Sequence, residues 1–513
     1  MNRILSASSR GTIVFTLAVT ALAAALGTVI STVATAQETT ATITPATITK
    51  VRISSDPFTV GPGQHATEVE PHMLAFGTTL VAAFQTGRIA PGGSTDIGWA
   101  TSTDGGTSWT HGFLPDLTKG EGSGPFDAVS DPAVAYDAKH NVWMIASLPI
   151  SSTVITPAVV VSRSTDGGFT WDSPVSVDPK APSSDKNWIA CDTTSTSPYY
   201  GNCYVEWDDP SAGDEIFMST STDGGVTWGT PKATANGSWG IGGQPLVQPN
   251  GTVVVPIETN SMSAFTSTNG GASWSSPGNI ANIQTHTDAG GLRSGPLPSA
   301  AIDGAGTVWV VWEDCRFRTS CLTNDLVYST STDGVHWSAV TRIPIDKVTS
   351  VIDHFIPGIG IDPATSGTTA HVAVTYYYYP QTNCSVSTCK LNVGYISSHN
   401  GGSTWNPPVK LAGSMSLSWL PNSQNGLMVG DYIATVFSNG TPHGVYAVAK
   451  AKLGAAFNEA MYTATNLTVA TAGPQLSSAH DRPLHNLSDA IEKERPDKGV
   501  IPPSKRAAKL SSK

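Results

Sequence analysis

Acids, arginines and aromatics recur along this chain wherever paired short apolar runs begin or end. Glu68, Glu70, His72, Arg88 and Asp96 flank the first pair, EPHMLAF and TLVAAFQ. Asp127 and Asp131 flank the second pair, Asp185, Lys186 and Trp188 the third, and Gln244 and Glu258 the fourth. His286, Asp288, Arg293, Arg316 and Arg318 surround the fifth, Asp353, His354 and Tyr376 to Tyr379 the sixth, and Asp431 and Tyr432 open a last one. Carboxyl groups of this kind can give or take a proton at a glycosidic bond. Arginines can hold a carboxylate through paired hydrogen bonds, and Trp188 and the tyrosines can stack on sugar faces. His72, His286 and His354 are the residue types a lyase would use as base on an acidic polysaccharide. No Cys-x-x-Cys or His/Cys spacing suggests a zinc site, so no metal and no cofactor is expected.

The elements that must position these residues are repeats. The phrase STDGGTSW at 102–109 returns as STDGGFTW at 164–171 and STDGGVTW at 221–228. Looser copies begin at Ser267, Ser331 and Ser398. Two strand-like runs precede each copy, a third enters it and a fourth leaves it, so each unit reads as a four-stranded meander. Repeated meanders of this size predict an all-β fold, a β-propeller of four-stranded blades with the phrase as the turn between third and fourth strands. In that turn the acceptor oxygen of Asp104, Asp166, Asp223, Asn269, Asp333 or Asn400 binds backbone N–H groups. The glycines supply left-handed backbone, and the Trp fills space between sheets. A structural part is expected, since a catalytic acid would not be needed six times around a ring. After the sixth phrase come GDYIATVFS, HGVYAVAKA and AMYTATNLTV, and ITKVRIS from Ile48 can supply the missing fourth strand. That gives seven blades; six is the count if the last segment is an appendage.

The phrase S-x-D-x-G-x-T-W resembles the Asp-box, or BNR repeat, of the sialidase superfamily, over nearly all of residues 48 to 470. The resemblance implies an active site at the mouth of the axial channel, on the rim opposite the phrases. Members that are sialidases use a Tyr nucleophile paired with a Glu, an Asp as acid/base, and three arginines on the substrate carboxylate. Tyr432 in GDYIATVFSNG stands where the nucleophile is expected, and Asp96 where the acid is expected. The arginines depart from the pattern: Glu70-Pro71-His72 replaces the first, Glu258 and Lys390 stand near the places of the others, and Gln244 replaces the Glu. Glu70 and Glu258 are therefore expected beside Tyr432 as carboxyl partners. Arg88, Arg293 and Arg316, with Trp188 and His72, are expected to bind the substrate. The implied function is a secreted sialidase-like glycoside hydrolase with a diverged arginine clamp. The alternatives are a noncatalytic propeller binding a glycan or a protein, and a lyase on acidic polysaccharide.

The rest of the chain agrees with export. Arg3 and Arg10 precede an uncharged run from Gly11 to Ala36 ending in Ala34-Thr35-Ala36, which reads as a signal peptide over 1–36. An uncleaved anchor is the other reading of that run. A linker over 37–47 and a disordered polar, basic tail over 471–513 are expected, with no membrane span in the mature chain and a monomeric state. Three close cysteine pairs, Cys191 with Cys203, Cys315 with Cys321 and Cys384 with Cys389, are expected as disulfides. The net charge of −11 argues against a nucleic-acid partner. Charged residues are only 13% and glycines number 50, which favours strands and turns.

Overall fold

The computed structural model describes residues 48–151, 156, 158–178, 183–469, 474–479 and 481–483. The expected signal peptide, the linker and the chain beyond 483 lie outside the described residues. What is described is all-β and antiparallel: five sheets of four strands, one of eight, and a small hairpin of two. The eight-stranded sheet consists of two four-stranded runs joined by one residue pair, Ser94 opposite Val129. No described helix is long and apolar enough to cross a membrane.

Each run of four strands except the last follows chain order, and its first strand neighbours the first strand of the next. Gln64–Phe76 lies beside Ala128–Asp137, which lies beside Asp185–Cys191. The series continues through Leu246–Val247, Ser299–Ile302 and Asp353–Ile361 to Ala434–Ser438, which returns to Gln64–Phe76. The last sheet takes its fourth strand from the front of the chain, as expected: Lys50 faces Ala464 and Arg52 faces Tyr462. Apolar side chains of facing sheets fill the spaces between them, Trp207, Trp312 and Trp405 among the most buried.

The repeated phrase forms a self-satisfied turn. Asp166 Oδ1 accepts the N–H groups of Phe169 and Thr170 at 3.0 Å, and Oδ2 accepts the Thr170 hydroxyl at 2.6 Å. Gly167 and Gly168 have φ of +87°, where a Cβ would strain the backbone. Asn269 Oδ1 and Asn400 Oδ1 accept the corresponding N–H, of Ser273 and Thr404. The three cysteine pairs are bonded as read from the sequence. Beyond the last strand, Leu476 exchanges two backbone hydrogen bonds with Trp405, and Asp481 pairs with Arg342.

Four first strands carry a bulge at the same height. Glu70, Asp131, Lys186 and Ile356 have φ near +50° although none is glycine. Pairing with the second strand breaks at each of them. Pro71, Pro132 and Pro357 follow three of them; proline has no N–H to lose and suits a bulge. Such backbone costs about 1–3 kcal/mol per residue and persists only where surroundings hold it. Here it turns Glu70, Asp131 and Lys186 toward one another. Gly430 completes the arrangement, since a Cβ there would meet Glu70 N at 2.8 Å.

The ring seam depends on protonation. Glu68 Oε2 accepts the Met461 N–H at 2.8 Å and the Ser54 hydroxyl, tying the first sheet to the closing one. Burial pushes the Glu68 carboxyl up from 4.5 to about 7, against the smaller lowering by Ser54 and Met461. A group whose folded pKa is raised stabilises fully below its unfolded value and loses that contribution as pH rises through the folded value. Melting temperature should therefore fall between pH 4.5 and about 7. In Glu68→Gln that slope should be shallower by the equivalent of about 3 kcal/mol. An unchanged slope in thermal denaturation across this range would contradict the assignment.

Candidate functional site

At the centre, three elements meet on one carboxylate. Asp431 precedes the first strand of the closing sheet, Lys186 sits on the bulge of Asp185–Cys191, and Arg293 comes from the segment before Ser299–Ile302. Arg293 donates from Nε to Asp431 Oδ1 at 2.7 Å and from Nη2 to Oδ2, and Lys186 Nζ also donates to Oδ2. All three are buried. Burial alone would raise the Asp431 pKa, but the charges of Arg293 and then Lys186 overcome it and hold the carboxyl below the usual range.

The neighbouring carboxyl behaves oppositely. Glu70 is pushed up to about 8, first by burial and then by the negative charges of Asp131 and Asp431, with Lys186 and Arg293 opposing. Gln85 organises the surroundings. Its amide nitrogen donates to Glu70 Oε2 and to Ser130 Oγ at 3.0 Å, and its oxygen accepts from Arg88 Nη1 at 3.3 Å. Ser130 Oγ in turn donates to Asp131 Oδ1 at 2.6 Å. Glu70, Arg88, Asp131 and Arg293 line one cleft, rimmed by Pro91 to Gly93, Ser183 to Asp185 and Gln424. Arg88 is only 2% exposed, yet among the described residues it has no carboxylate within ion-pair distance and its Nε has no hydrogen-bond partner. Burial, then Arg293, pushes its pKa down to about 10, so it stays charged at neutral pH.

Aromatic groups gather beside this cluster. His72 and Trp188 have ring centroids 4.4 Å apart, and Tyr432 meets Trp188 edge-on at 5.1 Å. The Tyr432 hydroxyl donates to the Pro132 carbonyl at 3.2 Å, not to a carboxylate. Burial and the charges of Glu70, Asp131 and Asp431 raise its pKa well above the ordinary phenol value. His72 is pushed down to about 3 by burial, and its Nδ1 accepts the Val134 N–H at 2.8 Å, so its basic nitrogen is already engaged. His72 and Trp188 also border a second cavity between the first strands, further along the axis.

The structure thus brings together Glu70, Arg88, Arg293, Tyr432, Trp188 and His72. It does not bring Asp96, Glu258 or Arg316 into the cleft lining. Asp96 is buried on the third strand of its sheet, where Oδ1 caps the Ile97 N–H and burial raises its pKa well above the usual value. Glu258 ends a second strand and exchanges backbone hydrogen bonds with Ile241. Arg316 lies flat on Asp314, through Nε at 2.8 Å and Nη2 at 2.7 Å, and anchors the Cys315–Cys321 loop. Gln85, Asp131, Lys186 and Asp431 were not among the chosen site residues. A usable signal was present: Glu70-Pro71 and Asp131-Pro132 occupy the same place in successive repeats.

No protein-family model matches the chain. A stretch of 100 residues is 34% identical to a sialidase of Bacteroides fragilis, covering 16% of this chain and 18% of that one. The match thus spans under a fifth of that curated relative's length, and it bears out the resemblance to the sialidase superfamily. Among solved structures, the NanB sialidase of Streptococcus pneumoniae is 12% identical, with 83% of this chain and 70% of that chain covered and a TM-score of 0.38. A polysaccharide lyase described as an ulvan lyase is 10% identical, with 87% and 100% covered and a TM-score of 0.48.

Breaking the central cluster should be costly, because neutralising Asp431 takes from two buried cations the carboxylate they share, leaving only the weaker influence of Asp131 on both. Asp431→Asn should lower the unfolding free energy in urea by about 3–5 kcal/mol. A loss below about 1 kcal/mol, the value of a solvent-exposed pair, would show that the cluster does not hold the centre.

Proposed function

We propose that this chain is a secreted, sialidase-like glycan-acting enzyme whose cleft takes an acidic sugar, with Glu70 as proton donor. One observation carries this: a carboxyl pushed up to about 8 shares a cleft with a buried guanidinium, Arg88, that has no carboxylate within ion-pair distance among the described residues. At neutral pH Glu70 keeps a proton it can give to a leaving oxygen. Asp131, turned toward it by the neighbouring bulge, is the carboxylate in position to activate water. Arg88 and the far side of Arg293 supply the positive charge for a substrate carboxylate, in place of a three-arginine clamp. Attack by Tyr432 would need a base on its hydroxyl. That hydroxyl is committed to a carbonyl, so Tyr432 is assigned to the aromatic support with Trp188 and His72.

The sheets are taken as seven blades closed by the N-terminal strand. Three disulfides support a place outside the cytoplasm, where such bonds persist. The second reading, a noncatalytic propeller holding an acidic glycan in the same cleft, is favoured by the unactivated Tyr432. A lyase using His72 as base is disfavoured, since its basic nitrogen is occupied.

Turnover should be measured on panels of sialosides and uronic-acid glycans. The wild type should cleave one acidic class, with activity falling as pH rises through about 8, where Glu70 loses its proton. Glu70→Gln should lower kcat by about 100-fold or more without a lower melting temperature. Full activity in that variant would remove the mechanism. Saturable binding without turnover, abolished by Arg88→Ala, would establish the binding reading instead.

A further inference from the structure

On the rim beside the cleft, a second group of side chains meets from distant parts of the chain. His286 and Asp288 lie in the segment between Gly278–Ala281 and Ser299–Ile302, and Asp353 opens the strand Asp353–Ile361. One ligand atom from each lies within 4.8 Å of the other two, and His286 Nδ1 stands 3.2 Å from Asp353 Oδ2. Both carboxylates are buried. Asn324 frames them. Its amide nitrogen donates to Asp288 Oδ1 at 3.1 Å and to the His286 carbonyl at 2.8 Å, while its backbone N–H donates to Asp353 Oδ1 at 2.7 Å. The Ser294 hydroxyl donates to Asp288 Oδ2. Two buried carboxylates held this close repel when both are ionised, and a cation between them or a proton on one relieves that repulsion.

A separate observation points to the same gap. Tyr379 is directly across from Asp353 in the strand register and fully buried, and its hydroxyl has no hydrogen-bond partner among the described residues. Asp288 and Asp353 are the two charges that bear on that hydroxyl, so it faces the group. A comparable trio, Asp325, Asp346 and His354, is already neutralised: Arg342 Nε lies 2.8 Å from Asp325, and Arg318 Nη2 lies 2.7 Å from Asp346. Among the described ion pairs, Asp353 is matched with the His286 imidazole and not with an arginine or lysine.

We infer that His286, Asp288 and Asp353 bind a divalent transition metal of zinc or manganese type, with the Tyr379 hydroxyl on a water in the open position. The imidazole argues for these ions over calcium and magnesium, which favour all-oxygen shells. The inference does not depend on the glycan reading. Its consequence for the cleft is positional. Ser294, bonded to Asp288, follows Arg293, so the ion would fix the segment that delivers Arg293 to Asp431.

The test uses the full chain, stripped with a chelator and dialysed separately against zinc, manganese and calcium. Elemental analysis should find about one equivalent of zinc or manganese per chain, with a higher melting temperature than the stripped protein. His286→Gln and Asp353→Asn should each lose that equivalent, and the exposed His336→Ala should keep it. His286 is partly exposed, so His286→Gln decides the matter if Asp353→Asn fails to fold. No stoichiometric ion in the wild type, calcium alone, or undiminished binding in His286→Gln would each overturn the inference.

Discussion

Everything at the centre of this molecule depends on one buried negative charge. Asp431 is reached by Lys186 from one sheet and Arg293 from the approach to another, while it precedes Ala434–Ser438, the first strand of the closing sheet. Its own burial works against ionisation, and the two cations reverse that. Once Asp431 is ionised, it acts on its neighbours. Glu70, also buried but with no cation within ion-pair distance among the described residues, is driven the other way, first by burial and then by Asp131 and Asp431. Two carboxyls in one site thereby take opposite protonation states at neutral pH, the condition under which one can act as an acid.

The bulges explain how a repeated fold produces an unrepeated site. Each sheet follows the same plan, so its first strand would present an ordinary alternation of side chains toward the axis. An extra residue at Glu70, Asp131 and Lys186 breaks that alternation and re-aims one side chain per strand. Where the same device carries Ile356, it adds no charge. The cost of left-handed backbone at these residues is met by the contacts they make. Gly430 permits the segment before Ala434–Ser438 to approach the Glu70 backbone closely.

Much of the fold was legible in the chain. The phrases around Asp166 and its counterparts are local, and their hydrogen bonds span four residues, so sequence spacing suffices to find them. The disulfides are likewise short-range. Closure by Ile48 to Ser54 followed from counting strands. The site was half legible. Tyr432 stands at the head of the last apolar run, but its neighbour Asp431, which like it precedes the strand Ala434–Ser438, carries the central charge. Asp96 and Glu258 stood at suitable strand positions and face other surroundings. Arg316 was assigned to substrate because nothing in the sequence shows that Asp314 folds back onto it. These are questions of side-chain direction and of partners from other repeats, which spacing along one chain does not encode.

The central claim is that Glu70 is uncharged at neutral pH because it is buried beside the negative charges of Asp131 and Asp431. Isotope-edited infrared or carbon NMR titration of carboxyl groups, comparing wild type with Glu70→Gln, identifies the Glu70 signal directly. The account predicts a midpoint near 8 for that signal. A Glu70 midpoint near the ordinary glutamate value of about 4.3 would contradict it.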